Sequence, residues 1–229
     1  LSELMLLGMG GLAREVLAAV RTSGQYDVLG ILDDDPELLG TTIEGTVVMG
    51  ALADAPAFTK AFFSVCLPSG RDREGLVGRL SLLGVHEDRY ATVVDPDVRV
   101  PRDSRIGPGS IVMRNATISP QARIGRHVLL KPHVNVGCCA QVGDFATLHP
   151  RVSVGEGTRI GRAAHLGMNA GIGDGLVVGD YSYVGMRSAV THNVPEHETW
   201  AGVPARAEAA SNENPDYGPL RGRHGDATL

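Results

Sequence analysis

The chain has 229 residues, a net charge of -5 and 43% hydrophobic residues, with aromatics at only 4%. The mild acidic balance leaves no electrostatic footprint for nucleic acid or an anionic membrane, and no apolar run reaches the ~18 residues a membrane span needs. Three cysteines, two of them adjacent, make no disulfide framework, so a reducing, cytoplasmic setting is expected.

The opening segment LSELMLLGMGG has no basic leader and is not read as a signal peptide. Met5–Leu7 is a short apolar strand. It meets the turn Gly8-Met9-Gly10-Gly11 and then LAREVLAAVRTSG, where Leu12, Val16, Leu17 and Val20 share one helical face and Gly24 can end the helix. A second strand spans 27–32 and closes on Asp33-Asp34-Asp35-Pro36. Phe62–Leu67 is a third strand, and Arg71–Leu83 fits a second long helix. This order predicts a small parallel sheet, a Rossmann-like α/β domain over residues 1–90. Helix-opening amides at Gly10 and Gly11 can hold an anion. Asp33, 23 residues after Gly10, stands near the ~20-residue spacing of a ribose-binding acid. The pattern is G-x-G-G, and the alternative is a tight strand–helix turn with no ligand. One half-sized sheet disfavours a dinucleotide.

From Val94 every sixth residue is aliphatic, through Val100, Ile106, Val112 and onward to Val190, for seventeen uninterrupted hexads over residues 94–195. Gly often follows the aliphatic, and the fifth position is small or β-branched, with Leu176 the large exception. Three short strands then make one 18-residue triangular coil. Aliphatics point inward, small residues sit near the corners, and Gly is expected to permit the tight turn. At ~4.8 Å per strand the prism stands roughly 27 Å tall. The glycine content, 30 residues, fits this repeated backbone use. After WAGVPAR, residues 207–229 read as a polar tail, within a C-terminal extension over 196–229.

A glycine-turn α/β domain, uninterrupted hexads and a terminal G-V-P-A-R together resemble the hexapeptide-repeat sugar acyltransferases of the sialic acid O-acetyltransferase and bacillosamine N-acetyltransferase type. The resemblance covers roughly residues 3–206. It implies a left-handed parallel β-helix, a homotrimer, acetyl-CoA as co-substrate in the groove between prisms, and transfer to a nucleotide-linked sugar or similar small polar acceptor. It also implies substrate contacts at Gly10, Gly11, Asp33, Asp34 and Arg73. Cofactor contacts fall at Thr147, His165, Gly167, Met168, Gly185 and Arg206. No metal, nucleic acid or membrane partner is expected.

The family's base does not match. Its histidine position carries Cys138, the orienting acid position carries Cys139, and Thr147 replaces a second histidine. Acyl transfer needs a group that titrates near neutrality, which imidazole does and an unshifted thiol does not. His149 and then His133, each within about one coil of Cys138, are the expected bases. Cys138 as acyl acceptor is the competing reading. His127, His192 and His197 read as ordinary surface or corner residues. A trimeric binding scaffold, or a relative turned to another transfer chemistry, stays open beside the acyltransferase.

Overall fold

The computed structural model describes residues 1–208; residues 209–229, most of the expected polar tail, lie outside the described residues. The N-terminal unit is a five-stranded sheet of β1 (Ser2–Leu7), β2 (Tyr26–Leu32), β3 (Thr42–Ile43), β4 (Thr46–Gly50) and β5 (Phe62–Val65), in the order β3-β4-β2-β1-β5. All pairs are parallel except the β3–β4 hairpin. The hexad-free sequence between the second and third strands hid that hairpin. Its turn places Glu44 and Gly45 at φ 50° and 74°, where both central residues of a tight hairpin turn must lie.

Helix α1 (Gly11–Ser23) buries Leu12, Val16, Leu17 and Val20, the face its spacing predicts, and ends on Gly24 at φ 62°. Helix α2 (Gly70–Leu82) is capped by Ser69, whose hydroxyl accepts from the Asp72 amide.

The second unit is a left-handed parallel β-helix with three faces. Strand partners lie 18 residues apart, as in Thr147 opposite His165 and Val136 opposite Val154. First-position aliphatics from Val112 to Val190 form one buried core with fifth-position residues such as Ala122, Ala140 and Ala164. The start departs from the pattern: Val100 is 39% exposed because no strand pairs there and the first coil is incomplete. The 18-residue step shortens at the far end, where Val178 bridges Val194 and Val184 pairs with Trp200. Thr199–Gly202 and Ala205–Ala207 close the helix as an antiparallel hairpin.

The role expected of the second-position glycines is corrected. Gly137, Gly143, Gly161 and Gly167 do not have positive φ and do not make the turns. A Cβ on them would lie 2.8, 2.8, 2.5 and 2.6 Å from the amide nitrogens of Glu156, Arg162, Asp180 and Met186 on the next coil. Their bare backbone is what lets the coils stack. The left-handed turn is made instead at the fourth position, usually by a residue with a side chain: Asn115, Gln121, His133, Cys139, Phe145 and Arg151 all lie between φ 58° and 63°. Each costs roughly 1–2 kcal/mol against glycine. Ladder hydrogen bonds such as Cys139 N to Pro120 O at 3.1 Å and Phe145 N to Arg126 O at 2.8 Å hold these corners.

The sheet unit sits on one face of the prism. Ala91, Val93, Ile111, Met113 and Leu129 join Leu4, Leu6 and the α1 face in a shared core. A second contact wraps a corner. There Gly70 approaches so closely that a Cβ would meet the Phe145 carbonyl oxygen and the Ala163 Cα. A charged ladder climbs this corner in steps of one coil. Arg126 chelates Asp144 at 2.6–2.9 Å, and the Arg162 amide donates to Asp180. Glu74 of α2 receives both the Arg162 guanidinium at 2.6 Å and the Tyr181 hydroxyl at 3.0 Å. On the other side of the same corner, His127 hydrogen-bonds Glu87 at 2.9 Å. His127 is therefore no surface residue. It is fully buried, stacked on Phe145 with centroids 5.0 Å apart, and its imidazole is pushed down to about 4 by burial and then by the Arg73 and Arg126 charges.

Candidate active site

The chain leaving the C-terminal end of β5 meets the β-helix, where the Pro68 carbonyl accepts from the Thr147 hydroxyl; the C-terminal strand edge is where open α/β sheets bind ligands. Gly8, at φ 100°, leaves β1 there against Leu67. Gly10 is the N-cap of α1, with no side-chain cap and no acid in the first turn, so the first amides of the helix are open to an anion. A Cβ at Gly10 or Gly11 would meet nothing within 4 Å. Glycine there is thus not required by packing within the chain.

The acids behind this turn are already engaged. Asp33 accepts from the Met9 amide at 2.6 Å and from the Asp35 amide at 2.9 Å, so it shapes the glycine turn. Asp34 accepts from the Leu52 amide at 2.9 Å and pairs with Arg79 at 2.8 Å.

Arg73, expected to contact substrate, lies buried where the two units meet. It is 1% exposed. Its guanidinium donates to the carbonyls of Leu67, Pro68, His127, Phe145 and Ala146 and to the Thr147 hydroxyl, all at 2.8–3.1 Å. A guanidinium has five N–H groups, and these six acceptors consume them. Thr147, expected at the cofactor, is likewise 1% exposed and engaged with Arg73 and the Pro68 carbonyl.

The same strand face continues past Thr147. His165 stands one coil on, opposite Thr147, and Tyr183 one coil further. His149 and His165 ring centroids are 4.6 Å apart, and His165 stacks on Tyr183 at 4.7 Å and 11°. His165 is 8% exposed, and its imidazole is driven down to about 3 by burial, then by the His149 and Arg73 charges. It is neutral across the working pH range. His149 is half-buried on the same ledge. Lys131, one coil before His149, binds Glu15 of α1 at 2.6 Å. The Lys131–Glu15 pair thus ties α1 to the coil that precedes His149.

The other expected residues sort by corner. His133 is exposed on the corner beside the ledge, one turn from Lys131. Gly167, Met168 and Gly185 follow on later coils of that corner, with Met168 44% exposed. The two glycines meet the next coil's backbone or Ala201, so stacking alone accounts for them. Arg206 lies on the closing hairpin. Cys138 is on a different corner. A hydrogen bond with Cys139 holds its thiol above its ordinary value, with burial and the charges of Cys139, Glu156 and Asp103 adding to this. That leaves Cys138 poorly suited as a general base at neutral pH. Among the described residues no cluster of three or more His, Cys, Asp or Glu is placed to hold a metal ion, and no helix is long and apolar enough to cross a membrane.

A Rossmann-like unit followed by a left-handed β-helix is an architecture this chain shares with solved acetyltransferases. Residues 3–71 match the family model of the PglD N-terminal domain. Over the whole chain the fold is shared with a perosamine N-acetyltransferase from Caulobacter crescentus, solved in complex with CoA and GDP-perosamine. It is 24% identical, with a TM-score of 0.82, covering 92% of this chain and 98% of that one. The acetyltransferase domain of PglB from Neisseria gonorrhoeae, solved with acetyl coenzyme A, is 23% identical with a TM-score of 0.82, covering 90% and 99%. WeeI from Acinetobacter baumannii is 23% identical with a TM-score of 0.64, covering 90% and 99%. No curated protein sequence matches the chain.

Proposed function

We propose that this protein transfers an acyl group, acetyl in the first instance, from acyl-CoA to the amine or hydroxyl of a nucleotide-linked sugar. We take the working unit to be a cytoplasmic homotrimer. The observation that supports this reading is the Lys131–Glu15 pair, which ties α1, with its uncapped N-terminus, to the coil before half-buried His149. The phosphates meet the α1 amides. The sugar then extends toward His149. His149 takes the proton as the acceptor attacks the thioester carbonyl, and backbone amides of the coil turns receive the developing oxyanion. The tetrahedral adduct collapses to the acylated sugar and CoA thiol, which carries off the proton. The CoA-bound and GDP-perosamine-bound relatives support this assignment of donor and acceptor classes.

His149 is preferred to His133 because it alone of the two stands on the ledge with His165. The donor would run along the corner of Met168 toward Arg206. Thermal denaturation with CoA tests the donor half. Ligand at ~100 times its Kd raises stability by ~2.7 kcal/mol. No shift at millimolar CoA would leave a trimeric binding scaffold as the better reading.

A further inference from the structure

The vicinal cysteines have no part in the proposed transfer, yet their geometry is specific. Cys138 is half-buried and Cys139 exposed, with their sulfurs 3.5 Å apart. Cys139 Sγ also lies 3.4 Å from the Gln121 amide oxygen. The backbone beneath is fixed on both sides. The Cys139 amide donates to Pro120 O at 3.1 Å, and the Cys138 carbonyl accepts from Gly157 N at 2.9 Å. The left-handed corner at Cys139, φ 58°, turns its side chain into a shallow hollow of about 450 Å³ lined by Asp103, Gln121, Arg123, Cys139 and Gln141.

We propose that Cys138 and Cys139 form a dithiol site for a trivalent, three-coordinate thiophilic centre of the arsonous-acid class, with Gln121 and Arg123 at its rim. Two sulfurs on a locked backbone supply two bonds, and the centre brings its third substituent itself. A divalent metal ion fits less well. Tetrahedral zinc asks for three or four protein ligands, and no third ligand is grouped here among the described residues. Metal thiolates also require deprotonation, against which the Cys138 thiol is held. The arsonous centre needs none. Two S–H groups and one As=O give two As–S bonds and one water, with no electron transferred and no net proton released.

Phenylarsine oxide is the probe, with intact-protein mass as the readout. The expected result is one adduct per chain, formed with loss of one water. Peptide mapping should place it on the fragment carrying both cysteines. Excess glutathione should leave it in place and 2,3-dimercaptopropanol should remove it. Cys138→Ser and Cys139→Ser should each abolish the glutathione-resistant adduct. Cys66, buried in the core with its thiol pushed up to about 12, should stay unmodified. An adduct that glutathione strips from the wild type, that survives in either serine variant, or that maps to Cys66 overturns the proposal. Mapping on the wild type decides the matter even if a variant fails to fold.

Discussion

Replacing Arg73 by Met separates a structural from a ligand-binding role for this side chain. The Met retains the aliphatic stem and removes the guanidinium hydrogen bonds to the Leu67, Pro68, His127, Phe145 and Ala146 carbonyls and to Thr147. The Ala146 carbonyl keeps its ladder partner, the Leu129 amide, and the Leu67 and Pro68 carbonyls lie at the partly open edge, where water can replace the lost donor. The His127 and Phe145 carbonyls are left buried with no other donor among the described residues. Each orphaned acceptor costs ~1–3 kcal/mol, so the sum is about 2–6 kcal/mol. Removal of a whole buried ion pair can be neutral, but here only one partner goes and the acceptors stay. At ~2–4 °C per kcal/mol for a chain of this size, the midpoint should fall by about 4–24 °C. Differential scanning calorimetry measures it, and the transition should broaden or split as the two units uncouple. A midpoint within about 2 °C of the wild type, together with lost nucleotide binding, would refute the interdomain assignment and restore Arg73 to the substrate site.

Four further outcomes follow from the geometry. His127 at about 4 and His165 at about 3 lie below the ordinary ~6.5 of imidazole. The unfolded chain therefore binds more protons, and their stabilisation is complete above ~6.5 and lost as pH falls toward those values. His127→Phe should flatten the fall in melting temperature between about pH 6.5 and 4, and an unchanged slope would contradict the buried neutral imidazole. Gly143→Ala, with its Cβ 2.8 Å from the Arg162 amide, should melt well below the wild type. Gly10→Ala, with nothing within 4 Å, should fold normally but lose affinity for a nucleoside diphosphate in calorimetry. In a turnover assay His149→Ala should lower kcat at least ~10²-fold while His133→Ala stays within a few-fold; the reverse order would move the base to the exposed corner.

The hexad period was legible because coil stacking repeats one constraint every six residues, and strand partners such as Thr147 and His165 lie one 18-residue coil apart as that period requires. The helical face of α1 was legible for the same reason of periodicity. The glycine role was misread since composition marks where glycine occurs, not whether φ or a neighbour's approach demands it. Gly137 and Gly143 are required by the next coil's backbone, while Cys139 and Phe145 bear the strained φ. The docking of the two units left no periodic trace. Arg73, His127, Glu74 and Glu87 act across 40 to 107 residues of sequence, so a basic residue after a strand read as a ligand and a corner histidine as solvated. The spacing of Arg126, Asp144, Arg162 and Asp180 at one coil per step was the available signal for that ladder.

The central claim is tested most directly by thiol release from acetyl-CoA against a panel of nucleotide-linked amino sugars. The account predicts acceptor-dependent release of CoA thiol with at least one member of the panel, an acetylated product by mass, and loss of both in His149→Ala. CoA binding with no acceptor-dependent release from any panel member, or full release in the His149 variant, would contradict it.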